Sequence, residues 1–347
     1  PELAPRGLDR TLKILLMTIV AMAALRERRH IEYFVWVNVL SLAFFGVKGG
    51  VFTIASGGTY RVWGPAGSFI EGNNELGLAL IMMIPLANYL RLVSPHRWVR
   101  TALMLVMLLS AAAALGTQSR GAFLALSAMG FVLWLRSPRK VPVAMAICGF
   151  AVILVAFMPS SWEERMRTIQ TYEEDGSAMG RINAWATAVN IANDRITGGG
   201  FYLDGPEVFS RYAPNPDKVL TAHSIYFQAL GEQGWIGLSL FLSLGFLAFL
   251  SAGRIRSQAV EDERTRWLHA LCGMAQVSLV GYAVGGAFLS LTYFDLPYNI
   301  LVVIVACKTW LISGRATTEA VGAFGAAAPA RRAHSPAPDM LTRGPAR

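Results

Sequence analysis

Residues 101–135 read TALMLVMLLSAAAALGTQSRGAFLALSAMGFVLWL: two apolar runs joined only by Thr117, Gln118, Ser119 and Arg120. A helical hairpin on a soluble protein would keep a polar face, and neither run has one. Four residues suffice to turn a chain between antiparallel helices, so the second run re-enters the medium the first has just left. That medium is hydrocarbon.

The pattern repeats outward from this hairpin. Apolar runs at 11–25, 31–45 and 75–92 precede it, and runs at 141–158, 225–250, 267–291 and 297–312 follow it. A bilayer core has no water to satisfy backbone groups, so the expected fold is all-α: a polytopic membrane bundle of nine transmembrane helices. Composition agrees, because 54% of the 347 residues are hydrophobic and 15% charged, against about 25% charged in soluble domains.

The net charge of +9 is scattered in small clusters between the runs rather than gathered in one stripe, which argues against nucleic acid as a partner. Arg26, Arg28 and Arg29 form one cluster, Arg91, Arg97 and Arg100 a second, and Arg136, Arg139 and Lys140 a third. Arg254, Arg256, Arg264 and Arg266 form the fourth. These are alternate connections, as a positive-inside arrangement requires, and they set the cytoplasmic side. The connections 46–74, 117–120, 159–224 and 292–295 then face outward, and so does Pro1. The chain opens without Met and reads as a fragment, so an odd number of crossings is expected before Pro1 if the complete protein starts in the cytoplasm.

Residues 1–313 are read as one membrane domain, with 159–224 as its long outer loop, and 314–347 as a disordered basic tail. Within the loop, apolar spacing predicts helices over 162–172 and 181–193, the second with Ile182, Trp185, Ala186 and Val189 on one side. Residues 196–206, with Gly198, Gly199 and Gly200, read as a turn. Cys148, Cys272 and Cys307 fall inside apolar runs without metal-ligand spacing and read as packing residues.

Polar groups at a bilayer edge are costly unless paired or hydrated, which makes them functional candidates. Arg120 is the first: its turn is so short that the guanidinium sits at the outer interface, where its planar fork fits a phosphate. The alternative is that it snorkels to headgroups or caps helix carbonyls. His223, in Ala222-His223-Ser224-Ile225-Tyr226-Phe227-Gln228, is the one histidine placed on the outer face; His30, His96 and His269 lie by cytoplasmic connections and His334 in the tail. Its imidazole suits proton transfer from a hydroxyl or, when charged, phosphate binding, and the alternative is an ordinary interfacial side chain. Glu232, among Gly231, Gly234 and Gly237, is deep enough to need a partner, and an outer-face Arg is expected. Arg61 and Arg181 read either as phosphate or sugar ligands or as solvated loop charges. Glu173-Glu174-Asp175 reads as solvated loop surface, and no metal site is expected.

At these residues the sequence resembles the O-antigen ligase family, which includes polysaccharide polymerases and bacterial protein O-glycosylation ligases. The resemblance rests on Ser119-Arg120-Gly121-Ala122, on Arg61 with Gly67-Ser68-Phe69 and Asn73-Asn74, and on Gly180-Arg181-Ile182-Asn183-Ala184-Trp185. Its most specific element is His223-Ser224 with Tyr226, Glu232, Gly234 and Gly237; the family commonly has His-Asn where this chain has His-Ser. The whole is further similar to the O-glycosylation ligases associated with exosortase A systems.

The resemblance implies transfer of a glycan from undecaprenyl diphosphate to a lipid A core or protein acceptor, at the periplasmic face of the bacterial inner membrane, without cofactor, metal or nucleotide. It implies Arg120 and His223 as catalytic residues, with Arg61, Arg181, Tyr226 and Glu232 binding diphosphate or glycan. A polymerase joining lipid-linked repeats is the nearest alternative, and a lipid or polysaccharide transporter is the alternative of another class. A transporter would show repeated halves and midplane charges, which the sequence lacks.

Overall fold

The computed structural model describes residues 3–137, 139–157, 176–259 and 263–326, and among them all regular structure is helical. In chain order the helices are α1 (Leu3–Ala24), α2 (Arg28–Ala55), α3 (Asn73–Val93), α4 (Arg97–Gly116), α5 (Arg120–Arg136) and α6 (Lys140–Phe157). They continue as α7 (Gly176–Asp194), α8 (Pro206–Tyr212), α9 (Ile225–Gln258), α10 (Arg266–Gly285) and α11 (Asp295–Ala326). Short 3-10 turns at Glu263–Thr265 and Gly286–Phe288 flank α10.

Six helices are long and apolar enough to cross a membrane: α2, α3, α4, α9, α10 with its 3-10 extension, and α11 as far as Gly314. The remaining expected crossings, 11–25, 121–135 and 141–158, fall on α1, α5 and α6. Of these α5 has 17 residues, about 25 Å of helix at 1.5 Å per residue, short of a 30 Å core. Several apolar side chains of α9 face outward, Leu240, Phe246 and Leu247 among them, as side chains that face lipid do.

The core sits around α3. Leu76, Leu78, Leu80, Ile81, Met82 and Met83 have no exposed surface, because α2, α4, α5 and α10 surround this helix. Between α2 and α4 the backbones approach closely. A Cβ on Gly46 would stand 2.1 Å from Ser110 Oγ, and one on Gly50 would stand 2.2 Å from the Leu109 carbonyl. Gly46 and Gly50 are four residues apart on one face, the spacing with which membrane helices pack backbone to backbone.

Alternating helix directions gather the basic ends together. The Arg28 guanidinium lies 5.2 Å over the Trp267 ring, Arg136 Nη1 donates to the Gly273 carbonyl at 3.1 Å, and His269 Nδ1 pairs with the Arg256 carbonyl at 2.9 Å. At the opposite end, Asn73 Nδ2 donates to the Thr117 carbonyl at 2.7 Å, and Thr292 Oγ1 donates to the Ile225 carbonyl at 2.9 Å.

Two loop expectations change on inspection. The predicted helix 181–193 is α7, but the face it buries is Asn183, Ala184, Thr187, Ala188 and Ile191, whereas Ile182 is exposed. The cause is a close crossing with α9: a Cβ on Gly231 would stand 3.1 Å from Ala188 Cβ, so small residues rather than bulky ones face the contact. The 196–206 turn is present, followed by α8, which the sequence reading did not anticipate. The predicted helix 162–172 and the acidic run 173–175 lie outside the described residues. Residues 311–347 form a separate unit; α11 continues through it to Ala326, so the expected tail begins as helix.

Candidate active site

The hairpin turn 117–120 is held from several sides. Thr117, Gln118 and Ser119 are buried, although they are polar. Segment 58–62 lies across them: Val62 N–H donates to the Gly116 carbonyl at 3.0 Å, and Gln118 Nε2 donates to the Gly58 carbonyl at 3.0 Å. Arg61 Nε donates to Gln118 Oε1 at 3.4 Å, which brings Arg61 to the turn that carries Arg120. Gln118 adopts a left-handed backbone, φ 53°. Ser119 caps α5 by accepting from Ala122 N–H at 3.1 Å, so Arg120 is the first residue of a capped helix, at its positive end.

The His223 segment is built differently. His223 itself is left-handed at φ 41°, a conformation costing on the order of 1 kcal/mol for a non-glycine residue and persisting only where neighbours impose it. Trp185 is one such neighbour. Its indole N–H donates to the Ala222 carbonyl at 2.6 Å, and its ring stacks on Phe227 at 4.8 Å and 8°. Asn183 Nδ2 donates to the carbonyls of Asn215 and Lys218, fixing the approach to Ala222. Burial, and secondly the Arg181 guanidinium, push the His223 imidazole below its ordinary value, so its neutral form is favoured. Arg181 also lies within electrostatic reach of Glu75, at the start of α3.

These two parts meet through residues 285–288. Beside Arg120, a Cβ on Gly121 would stand 3.4 Å from Phe288 Cβ, and one on Gly286 would stand 2.6 Å from Ile225 Cδ1. Arg61, Arg120, Arg181 and His223 therefore share one end of the bundle.

Glu232 and Tyr226 go elsewhere. The Glu232 carboxylate accepts from the Tyr293 hydroxyl at 2.5 Å and from Gln228 Nε2 at 3.4 Å, so its partners are neutral hydroxyl and amide groups instead of the expected arginine. Tyr293 in turn accepts from Gln233 Nε2 at 2.8 Å, and burial raises its phenol well above the ordinary value, so it stays a proton donor. Glu232 faces a cavity of about 480 Å³ between α1, α3, α7 and α9. Tyr226 turns away from it, donates to the Ala283 carbonyl at 2.7 Å, and lines an apolar groove of about 270 Å³ with Phe246, Phe249 and Leu279.

Gly234 breaks α9 two residues beyond Glu232, with φ 68° and ψ −168°. The triple-glycine loop fills that break. Gly199 N–H donates to the Gly231 carbonyl at 2.8 Å and Gly200 N–H to the Glu232 carbonyl at 3.0 Å, satisfying acceptors that the broken helix leaves open. Tyr293, Gln228 and Gln118 were missed by sequence reasoning as candidates. A signal existed for Gln118 and Gln228, each within a motif already singled out, and none for Tyr293 beyond its place in an outer connection.

No curated protein matches the chain. Residues 1–95 match a family of unknown function (DUF5935), which covers α1 to α3 and contains Arg61. Residues 105–242, which hold the Arg120 turn, α7 and the His223 segment, match the family model described as O-Antigen ligase; the chain is thus a membrane protein with a segment similar to the O-antigen ligases.

Proposed function

We propose that the chain transfers a glycan from an undecaprenyl-diphosphate donor to an acceptor hydroxyl at the periplasmic face of the inner membrane, crossing the bilayer nine times in the described region. The observation that carries this reading is the gathering of Arg61, Arg120 and Arg181 with His223 at the bundle end opposite the basic clusters. A nucleotide sugar has no supply on that side, so a donor reaches the site on lipid.

The acceptor oxygen bonds to the anomeric carbon as the carbon–oxygen bond to diphosphate breaks, and the configuration inverts. The electron pair leaves with the diphosphate, where guanidinium groups and the N-terminus of α5 stabilise it. The acceptor's proton passes to the imidazole of His223, whose neutral form the surroundings favour. The acceptor is a lipid A core or a protein.

Arg120→Ala tests the reading. With purified protein and an undecaprenyl-diphosphate-linked glycan, transfer should fall by at least about 100-fold, the effect of removing one preorganised oxyanion donor, while the variant still inserts and accumulates. Unchanged turnover removes the role assigned to Arg120.

A further inference from the structure

At the bundle end opposite His223, two guanidinium groups stand together. Arg136 is the last residue of α5 and Arg256 lies in the last turn of α9, and both helices pack on α10. Gly273 of α10 sits between them. Its carbonyl accepts from Arg136 Nη1 at 3.1 Å, and a Cβ on it would stand 3.6 Å from Arg256 Cδ, so the Arg256 stem lies against the same turn. The Arg256 carbonyl is in turn held by His269 Nδ1 at 2.9 Å. Both arginines are half-buried, and their charges lie within electrostatic reach of one another. Among the described residues no carboxylate forms an ion pair with either.

Like charges held this way repel, and an anion between them removes the repulsion. The same helices indicate which anion. Phe131 and Leu135 of α5, and Leu247 and Leu250 of α9, are exposed apolar side chains in the turns that lead to the pair. A soluble phosphate would leave them bare, whereas a phospholipid covers them with its acyl chains while its phosphate accepts from both guanidinium groups. A choline or ethanolamine headgroup would bring an ammonium beside two cations, so the headgroup that fits is anionic overall. On the nine-crossing reading, α5 starts at the outer boundary with Arg120 and its 17 residues stop short of the other one. A charge held at that depth needs a partner.

We infer that Arg136 and Arg256 form the headgroup site of an anionic phospholipid, drawn from the leaflet at the basic end of the bundle, with one phosphate bridging α5 and α9 across Gly273. Basic residues spread over a membrane face attract anionic lipid diffusely, in proportion to their number. A bridged phosphate instead depends on two named groups and is indifferent to their exposed neighbours. Glycan transfer plays no part in this site.

The test is native mass spectrometry of the full chain in detergent, mixed with equal amounts of dioleoylphosphatidylglycerol and dioleoylphosphatidylcholine. Phosphatidylglycerol should be retained at least about tenfold over phosphatidylcholine. Arg136→Gln and Arg256→Gln should each lower that retention about fivefold, the effect of one basic group at a headgroup, whereas Arg254→Gln, an exposed neighbour of the same sign on α9, should change it less than about twofold. Arg256→Gln removes no side-chain hydrogen bond among the described residues, so it decides the matter even where Arg136→Gln, which loses the bond to Gly273, fails to fold. Equal retention of the two lipids, or equal losses in Arg254→Gln and Arg256→Gln, overturns the inference. Displacement of phosphatidylglycerol by an equal concentration of glycerol 3-phosphate would assign the pair to a soluble phosphate and overturns it too. Glu261 and Asp262 follow α9 and lie outside the described residues. Glu261→Gln combined with Asp262→Asn should leave retention within about twofold; a larger rise would mean that the chain supplies its own counter-ion, which also overturns the inference.

Discussion

Trp185 donates its indole N–H to the carbonyl of Ala222 at 2.6 Å, one residue before His223, so a helix of the outer loop sets the backbone that aims the imidazole. The stacked Phe227 ring holds the indole from the other side of His223. Trp185→Phe keeps the stack and removes the donor. Such a hydrogen bond contributes about 1 kcal/mol net, so turnover should fall about fivefold with little change in thermal stability. Trp185→Ala also removes the stack, worth about 1 kcal/mol more, and should cost both turnover and melting temperature. Equal turnover in wild type and Trp185→Phe would show that His223 is aimed without this contact.

The pH profile follows from His223. Its folded value lies below the ordinary 6.5, so the neutral base is present through the neutral range and kcat/KM should decline only as acid takes the pH below 6.5. Stability follows the same sign: the unfolded chain binds a proton that the folded site resists, so this contribution is whole above 6.5 and is lost as pH falls through the folded value. Arg181→Ala removes the second cause and leaves burial, the larger one. Its inflection should therefore move toward 6.5 without reaching it, as read from the kcat/KM profile. An inflection above 7 in the wild type contradicts the assignment.

Tyr293 and Glu232 form a second pair whose coupling is measurable. Tyr293 stays protonated because burial raises its phenol well above the ordinary range, so it remains the donor to Glu232. Tyr293→Phe leaves the carboxylate with Gln228 and the Tyr202 backbone amide. A hydrogen bond of this kind contributes about 1 kcal/mol net. A double-mutant cycle with Glu232→Gln should therefore return a coupling of about that size in thermal or denaturant unfolding. Additive effects of the two substitutions refute the pairing.

The sequence carries the helices well because hydrocarbon imposes one requirement everywhere: each apolar run has to satisfy its own backbone. Each of the nine expected runs falls on a helix over most of its length, six of them on helices long and apolar enough to cross a membrane, and the short turn at Arg120 is where its four polar residues put it. What periodicity did not disclose was the packing of the loop. Ile182 and Trp185 look like a buried face, yet α7 buries Asn183, Ala184, Thr187, Ala188 and Ile191, with Ala188 at its closest approach to α9. Glu232 looked like half of an ion pair because depth demands a partner, but depth does not say which partner, and a tyrosine from the 292–295 connection supplies it.

Gly234 and Gly198 make the last expectation the most severe. Gly234 has φ 68° and ψ −168°, a region open essentially to glycine alone, and a Cβ there would stand 2.0 Å from the Ile196 carbonyl. A Cβ on Gly198, at φ 77°, would stand 2.5 Å from the Gly234 amide nitrogen. Backbone meets backbone at both positions, so no rotamer change relieves the contact. Gly234→Ala should destabilise by about 3 kcal/mol or more, combining left-handed strain with displacement of the loop that caps the broken helix. Gly200, also left-handed at φ 91° but with open space around its Cα, is the control: Gly200→Ala meets the strain alone and should cost about 1 kcal/mol. Thermal unfolding of the three proteins in one detergent decides it. Equal melting temperatures for Gly234→Ala and Gly200→Ala would mean that the loop does not dock in the break of α9.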